Sequence, residues 1–356
     1  MKTSKPKFLA DPLFAAANSG KGFTSFYSEI FADVSIERRY IIKGGPGTGK
    51  SSFMKRISSE AVARGKTVEH YRCSSDPDSL DGIIIDGKIA IIDGTAPHSE
   101  DTELAGARDE IIDLGAFWNS GALRTRRAEI ELLREKKSES YKRAYRYLNA
   151  CDGIFEINRS LILPAVQHKK LERAAERILL KIPRGEAPSV IPAIAASFGM
   201  KGRVRFDSYE NSAKKLYVIE DHFKISHLFL RALITGALQR DCALRVSYDP
   251  VHVSEPDAVC FCHTGDCFVI SDKENSRKGD VRINVKRFVN AEKIRDVRSE
   301  FRANERIYGA LLASARDALL TAGESHFALE AIYSAEMDFE AESEFCRSFT
   351  EKLFEE

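Results

Sequence analysis

The chain has 356 residues, with 54 Lys and Arg against 53 Asp and Glu, for a formal net charge of +1. That balance gives no global electrostatic case for a nucleic-acid or membrane partner, and 43% hydrophobic with 30% charged residues is an ordinary globular composition. The length exceeds one small core, no apolar run is long enough to span a membrane, and seven cysteines, an odd number, argue for reduced thiols and a cytoplasmic location.

Met1 to Pro12 has no long apolar stretch after its lysines, so no secretory signal is expected. Arg39 to Lys43 is a short β-rich run. It leads into Gly44-Gly45-Pro46-Gly47-Thr48-Gly49-Lys50-Ser51, which is G-x-x-x-x-G-K-[ST] with no position missing. Glycines let backbone N–H groups approach phosphates without a Cβ in the way, and the helix that follows adds its free donors and positive dipole end. Ser51 to Arg64 carries Phe53, Ile57, Ala61 and Val62 at helical spacing, with Gly65 as a stop. The expected nucleotide contacts are Gly45, Pro46, Gly47, Thr48, Gly49, Lys50, Ser51 and Ser52, with Lys50 on the β- and γ-phosphates and Ser51 on Mg²⁺.

A strand is expected over Thr67 to Arg72, followed by a loop holding Asp76, Asp78 and Asp81. Strand ends are where open α/β sheets place ligands, but Asp-Pro and Ser-Leu-Asp also suit turns, and the turn reading is preferred. Lys88 to Asp93 is a buried-strand run ending in an acid, so Asp93 is expected beside the glycine loop as the second Mg²⁺ ligand. Thr95 and His98 follow, where a group would sense a γ-phosphate or orient water; Lys50, Asp93 and His98 are the catalytic candidates. No Glu adjoins Asp93, so hydrolysis is expected to be slow or to need a group in trans.

Arg124 to Lys181 is a charged, helix-prone arm, read as a helix pair with a turn near Cys151-Asp152-Gly153. Arg124, Arg126 and Arg127 alternate with Glu129, Glu131 and Glu135, which reads as a solvated face in preference to an arginine finger. Lys142, Arg143 and Arg146 lie among tyrosines, yet the interspersed acids favour packing against matching helices of a second repeat.

That repeat is legible. Lys21-Gly22 and Phe26 match Lys201-Gly202 and Phe206; Tyr40-Ile41-Ile42 resembles Tyr217-Val218-Ile219; Asp76-Pro77 matches Asp249-Pro250; Phe117 and Asn119 match Phe288 and Asn290. Pro183, Pro188 and Pro192 mark the junction. The second half has lost the glycines. It reads Glu220-Asp221-His222-Phe223-Lys224-Ile225-Ser226-His227, with His227 or Leu228 expected where Lys50 and Ser51 would lie, and Ser271 and Asp272 near the position of Asp93. It is expected to keep the fold without binding nucleotide. Cys260-Phe261-Cys262-His263 with Cys267 tempts a zinc assignment, but the spacing is not a standard knuckle and a shared strand face is preferred.

The runs Lys43 to Ser51, Cys73-Ser-Ser-Asp-Pro-Asp-Ser-Leu-Asp81 and Ile92-Asp-Gly-Thr-Ala-Pro-His98 resemble a family of bacterial P-loop ATP-binding proteins with two tandem P-loop repeats. The resemblance implies a cytoplasmic protein using ATP and Mg²⁺, and names no substrate. The expected fold is α/β, with duplicated P-loop NTPase-type domains, mostly parallel sheets and a long helical appendage after each. Residues 1–182 would form the nucleotide-binding domain, with its arm from about 120; residues 183–356 would form the degenerate repeat, with its arm from about 289. An ATPase or ATP-driven switch is the first expectation, a small-molecule kinase or a nucleotide-binding scaffold the alternatives. Expected partners are a nucleotide, no membrane, no clear nucleic-acid surface, and either a homodimer or pairing of the two repeats within one chain.

Overall fold

The computed structural model describes residues 12–97, 99–270 and 280–355. The first half runs β1 (Leu13–Phe14), β2 (Ala16–Ser19), β3 (Gly22–Ser25), α1 (Tyr27–Phe31), β4 (Arg38–Lys43), α2 (Lys50–Ala63), β5 (Val68–Arg72), β6 (Leu80–Ile85), β7 (Ile89–Asp93), β8 (Asp109–Asp113), α3 (Ser120–Thr125), α4 (Arg127–Ile162) and α5 (His168–Leu179). The second runs β9 (Ser189–Pro192), β10 (Ala196–Gly199), β11 (Gly202–Arg205), α6 (Ser208–Ser212), β12 (Lys215–Glu220), α7 (Ser226–Leu238), β13 (Ala243–Tyr248), β14 (Pro256–Phe261), β15 (Asp266–Ile270), β16 (Val281–Asn284), α8 (Ala291–Ser334) and α9 (Phe339–Glu355).

The duplication holds strand by strand. One sheet has the order β1-β5-β6-β7-β4-β8, the other β9-β13-β14-β15-β12-β16. In each, five strands are parallel and one, β6 or β14, runs against its neighbours. Ile41 and Ile42 of β4 are fully buried on opposite faces, as a central parallel strand covered on both sides requires. The repeated Lys-Gly pair closes the hairpins β2–β3 and β10–β11, with Gly22 at φ +93° and Gly202 at φ +75°. Only glycine takes that conformation without strain.

The inner sides of the two halves share one core, with Leu13, Phe14, Tyr27 and Phe31 packed among Ile194, Tyr209 and Leu216. The Phe14 N–H donates to the Ile194 carbonyl at 2.8 Å. Arg245 of β13 meets Glu69 of β5 at 3.0 Å in the same interior.

The arms depart from expectation. The turn expected at Cys151-Asp152-Gly153 is absent: α4 is one 36-residue helix through it. A glycine inside a helix costs about 1 kcal/mol. Ala144, Leu148 and Cys151 offset that by packing on Ala315, Ala318 and Leu319 of α8. The two long helices run antiparallel, since Lys137, Cys151 and Asn158 meet His326, Tyr308 and Glu305 in turn. The arms therefore pair with each other, as the interspersed charges suggested.

Each arm then ends on the other half. Leu171, Ala175 and Leu179 of α5 complete the second half's core beside Phe229, Leu233 and Ala237. Cys346 and Leu353 of α9 complete the first half's core beside Phe53, Ile57 and Ala61. The terminal helices are exchanged within one chain. Among the described residues no helix is long and apolar enough to cross a membrane.

Candidate functional site

β4 delivers the chain at Lys43 into the turn Gly44–Gly49, and α2 begins at Lys50. Gly47 at φ +71° and Gly49 at φ +82° hold the left-handed conformations that reverse the backbone. Thr48, fully buried, donates its hydroxyl to the Gly45 carbonyl at 2.9 Å and fixes the loop from inside. Among the described residues, the N–H groups of Gly47, Thr48, Gly49 and Lys50 make no hydrogen bond within the protein. Together with the start of α2, such converging donors form a concavity suited to an anion. Pro46 is partly covered, and Ser52 lies exposed on the first turn of α2.

Lys50 folds back over the loop. Its Nζ donates to the Gly45 carbonyl at 2.8 Å and lies 3.7 Å from Oδ2 of Asp93. The sheet explains this meeting: β7 lies parallel beside β4, with Asp93 opposite Ile42. Asp93 Oδ1 accepts hydrogen bonds from Thr95, at 2.9 Å from N and 2.6 Å from Oγ1. Burial raises its pKa against the opposing pull of Lys50. Ser51 Oγ accepts the Leu80 N–H at 3.0 Å, beside buried Asp81.

The other acids divide. Asp76 accepts the Ser79 hydroxyl at 2.9 Å and serves its own turn. Asp78 is exposed and pairs with Lys201. Asp81 alone of the three is buried near the loop. Arg126 and Arg127 pair with Glu129 and Glu131 on the open face of α4, away from any finger role. His98 lies outside the described residues, as do Ser271 and Asp272.

A roof over the loop was missed by motif reading. It comes from the end of α8, in the second half. The Tyr333 ring, 5.6 Å from Trp118, lies with it against Gly45. Ser334 Oγ donates to the Gly47 carbonyl at 3.0 Å. Behind them, Lys137 Nζ is 3.1 Å from His326, which is 3.4 Å from Glu330. The His326 hydrogen bond, with Lys50 and Lys137, lowers the pKa of Glu330 against the effect of burial. Only the exchange of helix ends brings these residues here, and no local motif encodes it.

A Cβ on Gly47 would stand 2.4 Å from the Glu330 carbonyl oxygen, at a φ that side chains rarely adopt. Gly47→Ala is therefore expected to destabilise the protein by about 1–3 kcal/mol, read as a lowered midpoint in urea unfolding.

The matching site of the second half differs at each of these points. With Phe53, Ile57 and Ala61 matched by Phe229, Leu233 and Ala237, Ser226 stands where Lys50 does and His227 where Ser51 does. This is one position earlier than the expected His227 and Leu228, because the loop is one residue shorter. Ile270, opposite Ile219, takes the place of Asp93. Asp221 caps the helix by accepting from the N–H and hydroxyl of Ser226 at 3.1 and 2.7 Å. Phe155, Asn158 and Ile162 of α4 close over this loop and leave a cavity of about 10 Å³.

Cys260 and Cys267 face each other across β14 and β15 with sulfurs 2.8 Å apart, while His263 turns to the Pro183 carbonyl at 3.0 Å. Among the described residues no three His, Cys, Asp or Glu side chains are placed to hold a metal.

No family model, no curated protein and no solved structure matches the chain.

Proposed function

We propose that the first half binds Mg-ATP at Gly44–Ser51 and acts as an ATPase or ATP-driven switch. The observation that carries this is the Lys50 ammonium, held between the loop carbonyls and the Asp93 carboxylate on the adjacent parallel strand. The unbonded loop N–H groups and Lys50 suit the β- and γ-phosphates of a triphosphate. Ser51 and Asp93 would hold Mg²⁺, which supplies charge neutralisation for the phosphates. Lys50 would exchange the Gly45 carbonyl for phosphate oxygens. The α8 roof favours a switch, because whatever enters the loop must be accommodated by Tyr333, Ser334 and Glu330.

The test is Mg-ATP binding and phosphate release for the natural chain and Lys50→Ala. Binding with slow release is expected, with release reduced about 100-fold or more by the substitution. Binding without release would reassign the site to a scaffold or a kinase awaiting its acceptor. Absence of binding would end the proposal.

A further inference from the structure

The near-neutral charge of the chain conceals one strongly basic face. A groove of about 670 Å³ runs along α5 and the segment Arg287–Phe288. Lys169, Lys170, Arg173, Arg177 and Arg287 line it, and no Asp or Glu does. All five are exposed. Among the described residues none of the five is paired with a carboxylate, whereas Arg127 and Arg159 of α4 each have a glutamate partner on their own helix. The acids of α5, Glu172 and Glu176, lie outside the groove.

The groove is braced from within. Lys170 Nζ donates to the Arg287 carbonyl at 2.7 Å, and the Arg287 guanidinium lies 4.7 Å from the Phe288 ring centre. Lysines 169 and 170, Arg173 and Arg177 occupy successive turns of α5, about 5.4 Å apart along its axis. The fold does not impose this charge. The equivalent helix of the other half, α9, exposes Glu340, Glu344, Glu351 and Glu355 against Arg347 and Lys352.

Five mutually repelling cations in one groove are relieved by several linked anions better than by a single one. Three arginines add the planar forks that bind phosphate oxygens in pairs. An acidic protein partner fits less well, because interface cores are depleted of lysine and the apolar lining here is confined to Ala174 and Phe288. Phe288 is buried and the imidazole of His168 is the one exposed ring in the lining, too little for a stacking platform, so contact would be chiefly with the backbone. We propose that this groove binds the phosphate backbone of a nucleic acid without sequence preference. The inference does not depend on the ATP reading.

The experiment is fluorescence anisotropy of the full chain with a labelled duplex of about 20 base pairs and its single strand, from about 50 to 200 mM salt. The expected result is binding whose logarithm falls with the logarithm of salt at a slope of about −4.5 for the duplex and about −3.5 for the single strand, as about five neutralised phosphates require. Arg173→Ala with Arg177→Ala removes two exposed side chains, with an unchanged melting curve as the control. It should weaken binding at least tenfold (about) and reduce the slope by about 2. Lys50→Ala should bind as the natural chain does. No binding at low salt, an unchanged slope in the double variant, loss of binding in Lys50→Ala, or tighter binding of polyglutamate than of duplex would each overturn the proposal.

Discussion

Truncation after Glu336, which removes α9, is expected to leave the first half unfolded while the second half retains its helices and sheet. The reason is the helix exchange. α9 buries Cys346 and Leu353 in the first half's core and sets the Phe349 ring 5.0 Å from Tyr40 and 5.7 Å from Phe53. Its buried Glu342 also pairs with Arg56. At about 1.5–3 kcal/mol for each fully buried large side chain, and less for partly buried ones, these groups contribute about 4–7 kcal/mol. That rivals the whole stability of an ordinary domain, about 5–15 kcal/mol. Limited proteolysis is the measurement, with cleavage expected in β4 to β8 and protection of β12 to β16. A milder probe is Leu353→Ala, for which about 2–4 kcal/mol is expected. A truncated chain as resistant as the intact one would show that α9 is an ornament.

The second large effect is expected at the opposite end of the same strands. Arg39, 1% exposed, donates from Nε and Nη2 to the two carboxylate oxygens of Asp109, each at 3.0 Å. Asp109 also accepts from Arg108 Nε at 2.7 Å and from the N–H groups of Glu103 and Leu104 at 2.7 and 2.9 Å. The two residues are register partners in β4 and β8, so this cluster ties the edge strand to the strand that feeds the glycine loop. Asp109→Ala leaves a buried guanidinium with the Asp101 carbonyl at 3.2 Å and, as charged partners, the more distant Glu100 and Glu103 at 3.6 and 3.9 Å. Removing one partner of a buried pair costs about 3–5 kcal/mol.

The pH dependence has a definite sign. Burial alone would raise the Asp109 pKa, but hydrogen bonds from Arg108 and Arg39 hold it far below the ordinary value. Its stabilisation is therefore complete above the unfolded-state pKa of about 4 and is lost as pH falls below it. The gap between natural and variant chains, from denaturant unfolding, should be wide at neutral pH and narrow in acid. An equal gap at both would show that the carboxylate charge does not matter.

Much of the fold was legible in the residues. The drifting matches from Lys21-Gly22 to Asn119 trace a real duplication because each marks a conformation the fold needs twice, such as the left-handed glycine at the hairpin. The meeting of Lys50 and Asp93 was legible because strand ends in a parallel sheet lie side by side. The path of the arms was not. Helical periodicity states which face of α5 or α9 is apolar, and says nothing of which sheet that face will cover. Gly153 reads as a break only when the α8 surface that holds α4 straight is out of view. As a roof, Glu330, Tyr333 and Ser334 carry no local signal, since the loop glycines they cover lie more than 280 residues away in the chain.

The position of α9 in the sequence also bears on how the molecule is made. A nascent chain exposes β1 to β8 early, yet the helix that closes their core, α9, follows every strand of the second half. At about 5–20 residues per second, that core waits roughly 10–40 s after α4 has emerged. The second half has no such delay, because α5 is already present when β12 to β16 appear. Assembly therefore runs against the usual order: the later half has its covering helix α5 in hand as its strands appear, and the earlier half stays open until α9 has emerged.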